Sequence, residues 1–363
     1  QDAPDLDTWL TTCSNAYVLE RSNEMWQFTH DRLREAIMGT IVERDKPHLY
    51  RQLARATEQA YPNMAEQAGT LARFWRLAED LPKELHYRQI AGDYMLRLSA
   101  LLKATEQLER ALEILPQTNL DASAQKAIRA NIRLQLGTVW HHRSQYPDAE
   151  AQFKQALALF TELNDEGGIA RTEVGLCNSA MLQGHYDEAI RWGEKCVARE
   201  EPDTQARALM QLGVARIHKG ERAKAVQILE DALQRSRAAD DQSLEADVEI
   251  NLGIAAFHSG ELKEAQERFS AALASVREIG EQKRIAVLLN NLGSVMGMQG
   301  DLEQSKNYFT EALNIGTETG SRRSVKMSID NLGVIAMMTE DYSLANRYLE
   351  QSLGISLEMG AQP

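Results

Sequence analysis

The sequence predicts an all-α protein built as an array of stacked helical hairpins, and three observations predict it. Ala, Leu, Glu and Gln abound while aromatics make up only 6% of the chain, a mix whose side chains lose little rotamer freedom in helices. A glycine-centred segment returns at a fixed interval: NLGIAAFHSGELKEA, NLGSVMGMQGDLEQS and NLGVIAMMTEDYSLA put Gly253, Gly293 and Gly333 in one column, 40 residues apart. Small residues then recur at two further positions of the same unit, which lets helix axes approach closely.

Bulk properties narrow the classes. A length of 363 residues fits two or three domains, or one long repeat array. No run of about 18 apolar residues is present to span a membrane. The opening QDAPDLDTWL has neither the basic and apolar regions of a secretory signal nor an initiator Met, so a cytoplasmic segment of a longer chain is expected. Cys13, Cys177 and Cys196 show no CxxC spacing and read as small buried hydrophobes of a reducing compartment. A net charge of −13 without a Lys/Arg cluster repels phosphate backbones, so no direct nucleic-acid partner is expected.

Taken in chain order, residues 1–46 read differently from the rest. AYVLE and MWQF are short strand-like pieces around a polar turn, a β-hairpin wing that confines strand to residues 16–29. A helix, HDRLREAIMGTIV, follows, and PHLYRQLARATEQAYP makes another with Pro47 near its start. Residues 47–120 read as a helical linker with degenerate repeats, including AGDYMLRLSALLKA, which places Gly92 in the glycine column. Residues 121–363 carry the repeats proper.

There the first column runs Gly137, Cys177, Gly213, Gly253, Gly293, Gly333. Seven residues later comes a turn column, Gly184, Gly220, Gly260 and Gly300, with Ser144 and Glu340 as substitutes; glycine there suits a left-handed helix C-cap. The small columns are Ala149, Ala189, Ala225, Ala265, Ser305, Ala345 and Ala156, Cys196, Ala232, Ala272, Ala312, Ser352. Phe153, Phe269 and Phe309 fill the space between helices.

Together these columns resemble the tetratricopeptide pattern over residues 85–363, in a 40-residue form longer than the familiar 34. The form is similar to that of kinesin light chains and of bacterial regulatory proteins. The resemblance implies a right-handed α-solenoid, because a lone hairpin cannot bury its apolar face. The last unit ends in SLGISLEMGAQP without a polar cap, which predicts contact with a further repeat or self-association with another copy.

Just before the repeats, FTHDRLREA resembles the end of the winged-helix domain in STAND-class signal-transduction ATPases, the group of NOD-like receptors and the maltose-regulon activator. Their Met-His-Asp motif reads here Thr29-His30-Asp31, followed by Leu33, Arg34 and Glu35. The resemblance implies that His30 contacts the β-phosphate of ADP in the longer parent protein, with Asp31 fixing the local geometry. ATP and ADP are thus implied for the parent only.

No enzyme site and no cofactor are expected in this segment. GxxxxGK[ST] and HExxH are absent from the sequence. His141 and His142 are adjacent and so point to different sides of a helix; with His218 and His258 they lie on the first helix of successive units, and no metal site is expected. Acidic runs such as GELKEAQER read as solvated faces with i,i+4 pairs. Met296, Met298, Met337 and Met338 read as core or groove filling.

Binding is placed on the first helix of each unit. At 287–298, Leu288, Leu292 and Val295 face neighbouring helices, while Val287, Asn290, Asn291, Ser294 and Met298 form a second stripe. In tetratricopeptide arrays that stripe lines a concave groove. Equivalent positions are Arg171, Asn178, Arg207, Gln211, His218, Asn251, Phe257, His258, Asn331, Met337 and Met338. Asn251, Asn291 and Asn331 resemble the Asn that holds peptide in kinesin light chains, and side-chain amides suit a peptide backbone; bonding between repeats is the competing role. The stripe passes from basic near Arg171 and Arg207 to apolar near residues 296–338, which suits a protein or peptide with an acidic part and an apolar anchor. The function expected is the sensor region of a STAND-type ATPase that controls oligomerisation or signalling. The alternatives are a stand-alone adaptor, or the small-ligand sensor of a transcription activator.

Overall fold

Helix dominates the computed structural model, which describes residues 5–22, 25–61, 64–199 and 201–358. The chain divides into two units, residues 1–139 and 140–363.

The first unit opens with α1 (Leu6–Asn15), for which the sequence raised no expectation, followed by β1 (Leu19–Ser22) and β2 (Met25–Phe28). The two strands pair antiparallel with Leu19 opposite Phe28, and strand among the described residues is confined to them. Next come α2 (Asp31–Thr40), a 3-10 turn, α3 (Lys46–Ala60), α4 (Met64–Leu77), α5 (Leu81–Arg97), α6 (Leu101–Ile114), a second 3-10 turn and α7 (Ala122–His142). Leu71, Trp75 and Tyr87 fill the core between α3, α4 and α5. Glu58 ties these helices together, accepting from the Tyr87 hydroxyl at 2.6 Å and the Trp75 indole N–H at 3.1 Å. The degenerate unit around Gly92 is a complete hairpin. A Cβ on Gly92 would lie 2.6 Å from Leu108, Ser99 holds the turn at φ 57°, and Ala104 and Ala111 are fully buried.

The second unit continues with α8 (Tyr146–Leu163), α9 (Glu166–Leu182), α10 (Tyr186–Ala198), α11 (Pro202–His218), α12 (Arg222–Ala238) and α13 (Gln242–Ser259). It ends with α14 (Leu262–Ile279), α15 (Gln282–Gln299), α16 (Leu302–Glu318), α17 (Arg322–Met338) and α18 (Tyr342–Glu358). Odd-numbered helices from α9 are the A helices of hairpins and the even-numbered ones are the B helices. The turn column works as a C-cap throughout: Gly184, Gly220, Gly260 and Gly300 have positive φ, and so do the substitutes Ser144 (60°) and Glu340 (61°). At Gly300 the Asp301 N–H reaches back to the Met296 carbonyl at 3.0 Å, the long bond of a Schellman end. Asp241, Asp301 and Ser321 start the following helices, each accepting the N–H three residues on.

Packing explains the glycine column. A Cβ on Gly253 would sit 2.6 Å from the Phe269 ring, and one on Gly293 2.5 Å from Phe309, so only a missing side chain admits each aromatic. Phe153, Phe269 and Phe309 are buried as expected. Cys177, which occupies that column in α9, is buried, as is Cys196; burial pushes their thiols up to about 12 and about 11, which makes both unreactive.

Two acids are buried in the core. Glu173 and Glu249 are 2% and 4% exposed, in the column that elsewhere holds Leu209, Leu289 and Ile329. Arg199 meets Glu173 at 2.8 Å, and Arg237 and Arg268 meet Glu249 at 2.9 and 3.2 Å. On α18, Leu349, Leu353 and Leu357 are all about half exposed.

Candidate functional site

The A-helix face of the second unit brings together much of the expected stripe. On α13 it carries Asp247, Asn251, Ile254 and His258; on α15, Val287, Asn291, Ser294 and Met298; on α17, Met327, Asn331, Val334 and Met338. These positions step i, i+4, i+7, i+11 and so share one side of each helix. The apolar members stay in water to an unusual extent, with Met298 at 68% and Met338 at 54% exposure.

A cavity of about 220 Å³ opens on this face, lined from three successive A helices and the intervening α16. Phe257, Met298, Val334 and Met338 wall it, Gly293, Gly297, Ser305, Phe309 and Ile335 form its floor, and Ser294 and Asn331 supply its polar edge.

The predicted residues divide by what they touch. Arg171 is exposed and Asn178 half-buried on α9; Arg207 is exposed on α11 and pairs with Asp241 at 3.8 Å, and Gln211 is half-buried. His218 stacks on Tyr186 with ring centroids 5.3 Å apart. Asn251 spends its amide on the Asp247 carbonyl of its own helix at 2.8 Å, and His258 sets its ring against the edge of Phe257. Asn291 and Ser294 are half-buried, and the Ser294 hydroxyl donates to the Asn290 carbonyl at 3.0 Å. Met337 is exposed but lies outside the cavity lining.

Asn290 needs a correction. It is 1% exposed and does not form part of the open stripe. Its amide N–H groups go to the Ala286 carbonyl at 2.9 Å and the Ser328 hydroxyl at 3.0 Å, and its Oδ1 accepts from Asn331 at 3.2 Å. One residue is about 100° of helix, enough to turn position 290 away from the side that Asn291 occupies. The amide role between repeats is therefore real for Asn290 and Asn331.

His141 lies against Ser179, Nδ1 to Oγ 3.2 Å, and burial, with some help from His142, holds its imidazole below the ordinary value. No group of three or more metal-ligating side chains converges among the described residues. In the first unit, Thr29 ends the hairpin by donating its hydroxyl to the Tyr17 carbonyl at 2.6 Å. His30 follows it, exposed at the start of α2. The side chains of Asp31 and Arg34 lie outside the described residues.

The tetratricopeptide-repeat family model matches residues 204–281 and 284–358. The fold is that of a tetratricopeptide-type solenoid. Among solved structures, the apo quorum sensor NprR from B. thuringiensis is similar with a TM-score of 0.66 at 15% identity, covering 97% of this chain and 98% of that one. A Rap protein complexed with Competence and Sporulation Factor has a TM-score of 0.61 at 14% identity, covering 91% of each chain. A STAND protein with a tetratricopeptide repeat sensor from Pyrococcus horikoshii has a TM-score of 0.54 at 14% identity; the match takes in 96% of this chain and spans 58% of that protein. None of the curated proteins matches the chain by sequence. No described helix is long and apolar enough to cross a membrane.

Sequence reasoning overlooked Gly297, Val334 and Ile335. A signal was available for the glycine: the column that gives Gly297 holds Phe257 and Met337 in the flanking repeats, so a side chain is missing there.

Proposed function

We propose that the A-helix face of the second unit binds an extended segment of a partner protein. The observation that carries the reading is the cavity shared by α13, α15 and α17, apolar inside and edged by amide and hydroxyl groups. At about 220 Å³ it falls below the roughly 300–1,000 Å³ of sites that enclose small molecules, and side-chain anchors with amides for the backbone suit a peptide better. Two Rap-type structures of similar fold were solved in complex with the Phr* peptide and with Competence and Sporulation Factor, which supports a binding role for this fold here. In the longer protein that we infer, this segment is the sensor of a STAND-type ATPase. The Thr29-His30-Asp31 stretch and the similarity to the P. horikoshii sensor support that context, with His30 as the ADP contact.

The test is selection of displayed random peptides on the whole chain. Asn291→Ala, Met298→Ala and Met338→Ala combined should weaken the selected peptides at least tenfold while leaving thermal stability unchanged. Peptides that bind the triple variant as well as the parent chain remove this face from the proposal. For the ATPase context, His30→Ala in the full-length protein should speed ADP release; an unchanged rate leaves His30 without that role.

A further inference from the structure

The cavity exists because of one pair of residues that the neighbouring repeats do not share. In the flanking hairpins the equivalent positions pair a large A-helix residue with a B-helix alanine, Phe257 with Ala265 and Met337 with Ala345. In the α15–α16 hairpin the pair is Gly297 with Ser305. The Ser305 hydroxyl is buried and donates to the Gly293 carbonyl at 2.7 Å, and a Cβ on Gly297 would come within 3.2 Å of that oxygen. The serine therefore crowds any side chain at position 297, and with glycine there the volume beside it is left open between α13 and α17.

Charge on α15 and α17 complements the apolar floor. Lys283 and Arg323 stand at equivalent positions, 40 apart, one turn before Val287 and Met327 on the same face, and both are exposed. Neither forms an ion pair among the described residues. The cations nearer α13 differ, because Arg207 is paired with Asp241 and Arg284 with Asp247.

Resting on the groove reading above, we infer that the Gly297–Ser305 cavity is a specificity pocket for one large apolar side chain of an extended partner segment that also carries an acidic residue for Lys283 and Arg323. The 14 residues from Lys283 to Gly297 span about 21 Å of helix. With the reach of a lysine or arginine side chain subtracted, that separation matches about four to six residues of extended chain. The acidic residue is placed accordingly, four to six positions from the anchor. Segments without an anchor leave the apolar floor in water and gain nothing from it.

The experiment uses random 12-residue peptides displayed and selected on the whole chain, followed by fluorescence anisotropy with the best synthetic peptide. The peptides should share one Leu, Ile, Met or Phe with Asp or Glu at the stated spacing, and replacing that residue by Ala should weaken binding at least tenfold. Gly297→Met combined with Ser305→Ala recreates the pairing of the adjacent repeat, fills the pocket and relieves the close approach to the serine hydroxyl. It should weaken the peptide at least tenfold, and reselection on it should return peptides without the anchor. Met338→Asp at the exposed mouth tests the same site should the double variant unfold. Unchanged affinity in a folded filled-pocket variant overturns the inference. If the Asn291, Met298 and Met338 combination still abolishes binding in that case, the groove survives and only the pocket falls. If no A-helix change matters, or no peptide is selected, both fall.

Discussion

Helices α11 and α13 and helices α15 and α17 present the same ridge positions and use them in opposite ways. On the first pair the ridge is tied down by charge. Arg207 reaches Asp241, and Arg284 reaches back to Asp247 at 2.5 Å and to the Ser243 carbonyl at 3.0 Å. Burial pushes the Asp247 carboxyl up despite the pull of Arg284 and Arg207. On the second pair the joint is secured beneath the ridge by the buried amide contacts of Asn290 with Ser328 and Asn331, and Val287, Met298, Val334 and Met338 stand exposed above it. Where stacking is secured below the surface, the surface is released for another use.

The hardest test of this contrast removes the floor of the second region. Phe309→Ala empties the space opposite Gly293 and should cost about 3–5 kcal/mol, measured by urea unfolding. A loss under about 1 kcal/mol would show that the hairpin can collapse around the missing ring. Next in size is the amide joint. Asn290→Ala leaves Ser328 and Asn331 without their buried partner and should cost about 1–3 kcal/mol. Asn251→Ala, whose amide bonds only its own helix among the described residues, should stay within about 0.5 kcal/mol. Equal losses would erase the distinction between the two ridges.

A smaller effect is expected at the buried acid of the first region. Glu249→Leu copies Leu289 of the next repeat, and Arg237 and Arg268 keep Glu245 and Glu230 as partners. Stability should change by no more than about 1 kcal/mol, because burying an ion pair nearly offsets its attraction. A loss of about 3 kcal/mol would instead make Glu249 a fastening point of α12, α13 and α14. The smallest effect concerns pH. Burial holds His141 below its ordinary 6.5, so the folded state takes up a proton less readily than the unfolded state. The stability this gives is complete above the unfolded value and is lost as pH falls from there through the folded value. His141→Gln should flatten the decline in melting temperature below about pH 6.5; an unaltered slope would assign it to other groups.

Much of the fold could be read from residues alone because it rests on steric columns. A missing or small side chain recurs at Gly253, Gly293, Ala265 and Ala312 wherever helices must approach, and even Ser144 and Glu340 hold the left-handed turn that their column demanded. The site was less legible. Asn251, Asn291 and Asn331 share one column in sequence, yet Asn251 bonds its own helix while Asn331 reaches Asn290, which Ser328 also holds. These contacts of Asn290 cross between helices, which local spacing does not reveal. The column of Glu249 is otherwise apolar apart from Glu173, but what neutralises its charge was not legible, because the arginines come from α12 and α14. Gly297 passed unnoticed because a cavity is defined by what surrounds an absence, here residues drawn from four helices.

The pairing of Phe269 with Gly253 and of Phe309 with Gly293 lies within single hairpins, and that has a consequence for how such a chain changes over generations. The two blocks that hold these pairs each carry their own wedge and slot, so duplication or deletion of either whole block leaves neither ring orphaned. Loss of residues 282–321 would join Glu281 to Arg322 and leave every remaining wedge with its slot, at the cost of the Gly297 pocket. A cut of any other length would set rings against side chains. Inheritance can thus lengthen or shorten this protein in whole steps and lose a binding preference without losing a folded scaffold.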